Sequence, residues 1–316
     1  MTVCYLIQSH GEPGQVLRLV ETIKRSSPDS KVLVVHDARR AVVPEPRWEW
    51  HDIEVINRRE RVERGEFSIL SPLLAGLERL FSGHLREWDF DWLVYLSGQD
   101  YPVRPLADFE ASLASTSHQG FLTFWDVDGP DNPWRPRQAR TRYYAQYRRL
   151  PDWTLGPLKA ARFLGKASPV RFHLPYGPFL GWQPRSTPFE DGVRCYGGSQ
   201  WWTLSRPVVE YLWQAIAADA PLVRWFRKTI APCEAMVPTV LANSGRFDLH
   251  PDSRRFVDFE GSRDGRPRTL NENDLPRFAA GRFDFARKFE LSSGLLDLVD
   301  ARMLGLAPPT APLRSG

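Results

Sequence analysis

Cysteine is scarce in this chain: Cys4, Cys195 and Cys233 are the only thiols among 316 residues. An odd number of widely spaced cysteines supports neither a disulfide framework nor a zinc site, and it suits a reducing compartment. Long apolar runs are missing too. No stretch approaches the ~18 residues of a membrane-spanning helix, so an integral helical membrane protein is excluded. The opening MTVCYLIQSH reads as a short core strand. It lacks the charged and long apolar regions of an export signal, so the expected location is the cytoplasm. There is no GxxxxGK followed by Ser or Thr and no GxGxxG, which leaves P-loop and dinucleotide readings unsupported. The seven histidines form no HExxH or paired spacing, so a zinc hydrolase has no support either. At 42% hydrophobic and 25% charged residues the composition is that of a globular chain, not a disordered one.

The net charge of +4 says little about nucleic acid by itself. Its distribution says more. Ten Arg or Lys lie between Pro133 and Phe172, with Asp152 as the only acid among them. A local positive field of that kind attracts phosphate-bearing ligands.

Strand and helix signals alternate over the first ~115 residues, which points to an α/β fold with a mainly parallel sheet between helices. Val3–Gln8 and Lys31–His36 read as buried strands, Ile53–Ile56 as a weaker one, and Asp91–Leu96 and Gly120–Trp125 as two more. Gln15–Lys24 is amphipathic, and Ile69, Leu73, Leu77 and Leu80 recur at helical spacing. Ligands of such sheets sit beyond the carboxyl ends of the strands, so the loops around His10, Asp37, Asp100 and Asp126 are the ones to watch. Residues 126–198 break the alternation and read as a long excursion over the sheet within a single domain of residues 1–306. Ser199–Leu204 then reads as a strand, with Ser205 capping the next helix. Glu234–Asn243 reads as a helix. Pro238 inside it requires a start near Glu234, because proline is tolerated only where its missing N–H would have no partner. Phe256–Phe259 is a short strand, Asp274–Phe278 starts a helix, Leu291–Met303 closes the fold, and 307–316 reads as a disordered tail.

Several groups could carry chemistry. Asp100 and Arg104 follow an apolar strand in LSGQDYPVRP. Asp126-Val127-Asp128 is a DxD after a strand, a pattern in which two carboxylates can hold a divalent cation against a diphosphate. Glu234 is the best candidate base. Arg268, Arg287 and Lys288 lie in the C-terminal quarter, where cations beside two Phe also suit a snorkelling edge strand. Of Trp201 and Trp202, one should face the core and one a ligand, as neighbours on a strand do. The interleaved Arg and aromatic residues of Trp134–Arg149 leave open a module that binds single-stranded nucleic acid.

The blocks YLIQSH, VVHDAR, LSGQDYPVRP, GGSQWWTLSR, APCEAMVPTVLANS, RFVDFEG and FARKFE follow one another along most of the chain. In this order they resemble glycosyltransferase family 14, which holds the core-2/I-branching β-1,6-N-acetylglucosaminyltransferases and the peptide O-xylosyltransferases. The resemblance implies a GT-A fold, a UDP-sugar donor, a hydroxyl-bearing acceptor, inversion at the anomeric carbon, and no metal or other cofactor. It makes Glu234 the catalytic base and places Arg268, Arg287 and Lys288 on the UDP diphosphate. His10 and Asp37 fall near the uridine, and Asp100, Ser199 and Trp201 near the donor sugar or acceptor. Residues 127–194 match poorly and are expected to carry acceptor specificity. Eukaryotic members are Golgi-anchored and cystine-rich. This chain shares neither trait, which points to a bacterial-type cytoplasmic enzyme without a membrane span or a nucleic-acid partner. A metal-dependent DxD enzyme using Asp126 and Asp128 stands as the alternative within the same class.

Overall fold

A strand buried on both faces has no side to give to water and is apolar throughout. In the computed structural model, which describes residues 1–44, 50–161, 170–262 and 265–307, Val3–Ser9 (β1) and Lys31–Asp37 (β2) are such strands. Together with Ile53–Arg58 (β3) and Trp92–Ser97 (β4) they form a parallel block ordered β3-β2-β1-β4. Gly120–Asp126 (β6), Tyr196–Ser205 (β10) and Leu249–His250 (β11) complete a seven-stranded sheet, in which β10 alone runs against its neighbours. The mainly parallel α/β architecture is therefore the expected one.

The period-2 pleat sorts the core into two layers. Cys4, Leu6, Leu33 and Leu93 face a layer holding Ser71–Phe81 (α2), Arg206–Ala217 (α6) and Met236–Ala242 (α8). Val3, Tyr5, Ile7, Val32 and Val94 face the opposite layer, with Pro13–Ser26 (α1), Leu106–Ser115 (α3), Leu275–Ala280 (α9) and Leu295–Val299 (α10). A second sheet joins Tyr101–Pro102 (β5), Arg255–Val257 (β12) and Phe285–Arg287 (β13) in the order β12-β13-β5. This small sheet sets the end of β13 beside the loop that follows β4.

The segment between β6 and β10 is better ordered than its composition suggests. It contains Pro136–Tyr143 (α4), Leu155–Ala161 (α5) and a third sheet of Gln146–Arg149 (β7), Val170–His173 (β8) and Phe179–Trp182 (β9), ordered β7-β9-β8. The inner residues Tyr147 and Phe179 pack on Ile230 and Ala231. Other local expectations shift. The closing helix is broken at Gly294, which adopts a left-handed φ of 67°. Ser205 occupies the cap position of α6, but its hydroxyl makes no capping bond. The tail from residue 308 lies outside the described residues.

Strict alternation also fails at the two tryptophans. The pairing of β10 with β6 slips between Gly198 and Trp202, and Trp201 and Trp202 are both buried. The slip depends on close backbone approach. A Cβ on Gly198 would lie 2.1 Å from the carbonyl oxygen of Thr123, and one on Gly197 2.5 Å from the ring of Trp134. We expect Gly198→Ala to destabilise the protein by about 1–3 kcal/mol, as overpacking does, read as a lowered melting temperature. An unchanged melting temperature would contradict this packing.

Candidate active site

The carboxyl ends of β1, β2 and β4 meet the end of β13 in one place, where ligands of open α/β sheets bind. The FARKF segment is stitched there by its backbone. Phe289 N–H donates to the carbonyl of Gln99 at 2.9 Å, and Leu270 N–H donates to the carbonyl of Lys288 at 2.8 Å. The side chain of Gln15, at the start of α1, donates to the carbonyl of Phe289 at 2.7 Å. His10, just past β1, lies in the field of the same residues. Desolvation lowers its pKa, Lys288, His36 and Arg287 add to that, and Asp37 opposes them.

Arg287 is held from two sides. Its Nε lies 3.1 Å from Oδ1 of Asp100, and its guanidinium sits over the Trp201 ring at 4.7 Å. Asp100 is itself fixed, accepting from the backbone N–H of Ser97 at 2.7 Å and from the Ser97 hydroxyl at 2.9 Å. Burial pulls the Arg287 pKa down and Asp100 pushes it back. Among the described residues no hydrogen-bond partner engages the two terminal nitrogens of Arg287. A second buried cation stands behind it. Arg255 donates to the carbonyls of Ser253 and Trp202 at 2.7 and 3.0 Å, and burial pushes its pKa down to about 10. Asp100 lies in the field of both arginines, and Asp284 and Asp252 act on Arg255 as well.

Arg268 is placed differently. Its guanidinium donates to Asp258 at 2.8 Å and to Asp274 at 2.5 Å, and Arg277 pairs with the same two carboxylates. Asp258 is held down to about 2 by the Glu260 N–H, Arg277 and Arg268. The four charges sum to zero, so Arg268 braces the segment leading to Leu270 and has little capacity left for an anion.

Glu234 follows Cys233, which shares a core cluster with Tyr95 and Trp201. It ends a short 3₁₀ turn, Pro232–Glu234, entered through Ala231 at a left-handed φ of 52°. The α-helix begins only at Met236, so Glu234 precedes the helix instead of opening it, and Pro238 falls at the third helical position, where no N–H is needed. Oε2 of Glu234 accepts from Nη1 of Arg142 at 2.7 Å, and the side chain is 36% exposed. Trp201 connects the two sides of the site. Its ring lies against Tyr95 at 5.0 Å, and Tyr95 belongs to the same core cluster as Cys233. Tyr95 and Gln200 both donate to Oε1 of Gln8, forming a polar bridge between β1, β4 and β10.

The remaining expected residues fall around this frame. Asp37 ends β2 and lines a small recess with His36, Arg58 and Ser71, while its carboxylate takes a bidentate bond from Arg39. That bond, more than any other contact, holds the Asp37 pKa below its ordinary value. Ser199 accepts from the Trp201 N–H at 3.1 Å and so shapes the bulge. Asp100 and Trp201, expected near the sugar, are 2% and 8% exposed and turn towards Arg287. In the DxD, Asp126 pairs with Arg194 at 2.8 Å, and Asp128 pairs with Arg140 at 3.1 Å and accepts from the Tyr144 hydroxyl at 2.6 Å. Both carboxylates already have cationic partners. The basic segment is likewise partly neutralised, since Arg149 reaches Glu63, Glu66 and Asp152.

Sheet topology and converging loops together define the class: a GT-A-like glycosyltransferase fold. The chain belongs to the Core-2/I-Branching enzyme family, whose model matches residues 38–278. It is 25% identical to xylosyltransferase 1 of Rattus norvegicus over 84% of its length and 31% of that protein's. To xylosyltransferase 2 of Canis lupus familiaris it is 24% identical over 98% of its length and 34% of that protein's. A plant relative, the β-glucuronosyltransferase GlcAT14A of Arabidopsis thaliana, is 26% identical over 70% of this chain and 44% of its own. The chain thus spans about a third of the length of the xylosyltransferases it matches. No helix among the described residues is long and apolar enough to cross a membrane.

Proposed function

We propose that this chain is an inverting glycosyltransferase that moves a sugar from a UDP-sugar to an acceptor hydroxyl without a metal ion. The observation that carries the reading is the state of Arg287. It is fixed along one edge by Asp100 and stacked on Trp201, and its terminal nitrogens are uncommitted. The names of the relatives support sugar transfer, with xylose or N-acetylglucosamine the expected donor sugar.

In this mechanism the uracil and ribose lie along the β1 and β2 ends, near His10 and Asp37, and the diphosphate meets Arg287 and Lys288. The acceptor hydroxyl attacks C1 from the face opposite the diphosphate, Glu234 takes its proton, and the C1–O bond to UDP breaks. Negative charge then grows on the β-phosphate. Fixed cations aimed at that point stabilise it without having to reorganise. Arg grips two oxygens and Lys acts as a point charge. Arg268, saturated by Asp258 and Asp274, acts indirectly by holding the Lys288 side of the clamp. The three buried, unpaired thiols suit a reducing compartment such as the cytoplasm.

Two arginine-paired carboxylates in the DxD argue for metal independence. We expect EDTA to leave turnover unchanged. Lost activity restored by Mn²⁺ would return the role to Asp126 and Asp128. A thermal-shift panel of UDP-xylose, UDP-N-acetylglucosamine, UDP-glucose and UDP-galactose against UDP selects the donor.

A further inference from the structure

We propose that Arg142 is a positioning residue for Glu234, so that the segment between β6 and β10 helps build the reaction centre besides receiving the acceptor. The inference rests on Glu234 being the base. Both terminal nitrogens of Arg142 are engaged, while its buried Nε has no hydrogen-bond partner among the described residues. Nη1 donates to Oε2 of Glu234 at 2.7 Å, and Nη2 donates to the Tyr176 hydroxyl at 3.0 Å. The guanidinium lies 5.5 Å from the Trp134 ring and 5.8 Å from the Tyr176 ring. The side chain is only 10% exposed. Its backbone carbonyl accepts from Ile230 N–H at 3.1 Å, tying α4 to the strand of residues that leads into the Glu234 turn.

The consequence lies in the two carboxylate oxygens. Oε2 is pinned, and among the described residues Oε1 has no hydrogen-bond partner. Pinning one oxygen restrains the carboxylate and leaves the other to accept a proton. A base must stand within ≈ 2.6–3.2 Å of the hydroxyl it deprotonates. A displacement of about 1 Å costs on the order of 10²-fold in rate. The competing account makes Glu234 merely the counterion that a buried arginine needs.

The experiment measures UDP release from whichever of the four UDP-sugars the wild-type chain turns over, for Arg142→Ala and Arg142→Lys, with and without non-denaturing guanidinium. Arg142→Ala is expected to lose about 10²-fold in kcat, to keep its UDP affinity, and to regain part of kcat when guanidinium is added. Arg142→Lys should fall between. Full kcat in Arg142→Ala overturns the proposal. So does a loss that comes with equally weakened UDP binding or a collapsed melting transition and that neither guanidinium nor lysine rescues. Failure of the underlying reading looks different: Glu234→Gln would then turn over normally, whatever Arg142→Ala did.

Discussion

Replacing Glu234 by Gln is expected to lower kcat by about 10²–10⁴-fold, the range of general-base catalysis, while UDP binds as before. The amide keeps the shape and can still accept from Arg142 through its oxygen, so the 2.7 Å contact at Oε2 has a substitute. What disappears is the carboxylate's capacity to take up the proton. Because Glu234 bonds Arg142 while Arg287 pairs with Asp100, the donor side should not register the change. The measurement is kcat alongside calorimetric UDP affinity. Turnover within a few fold of wild type would remove Glu234 from its role.

Replacing Arg287 by Ala should cost about 10²–10³-fold in kcat, as removal of one preorganised donor to a developing oxyanion does. The loss should appear in kcat more than in KM, since the β-phosphate is most negative in the transition state. Asp100 would lose its ion-pair partner, but it keeps the Ser97 N–H and hydroxyl bonds. Arg255 also remains in its field, so the fold should survive, and the melting temperature checks this. Arg287→Lys should recover part of the loss, because lysine restores charge without the two-pronged grip or the stacking on Trp201. An unchanged kcat with a raised KM would make Arg287 a ground-state binder only.

Much of the scaffold was legible because its signals are local. β1, β2 and β4 are apolar runs that only a doubly covered strand tolerates, and Pro238 placed the start of α8 to within two residues. The three-stranded sheet β7-β9-β8 was not legible, since its strands are short and carry Arg and Gly where a pattern search looks for apolar alternation. The site divides in the same way. Glu234 and Arg287 stand out by type and position. The roles of Asp100 and Trp201 depend on a partner nearly two hundred residues away in one case, and on a bulge between Gly198 and Trp202 in the other. The pairing of Arg268 with Asp258 and Asp274 depends on a fold that no sequence pattern spells out. Arg142 was one basic residue among ten, and only the packing of Trp134, Tyr176 and Glu234 around it marks it out.

The central claim is that side-chain cations at the end of β13 take the pyrophosphate of the donor. A crystal structure with UDP bound tests it most directly. The account predicts β-phosphate oxygens within hydrogen-bonding distance of the Arg287 terminal nitrogens and the Lys288 ammonium. A diphosphate seated away from β13, or bridged by a cation to Asp126 and Asp128, would contradict it.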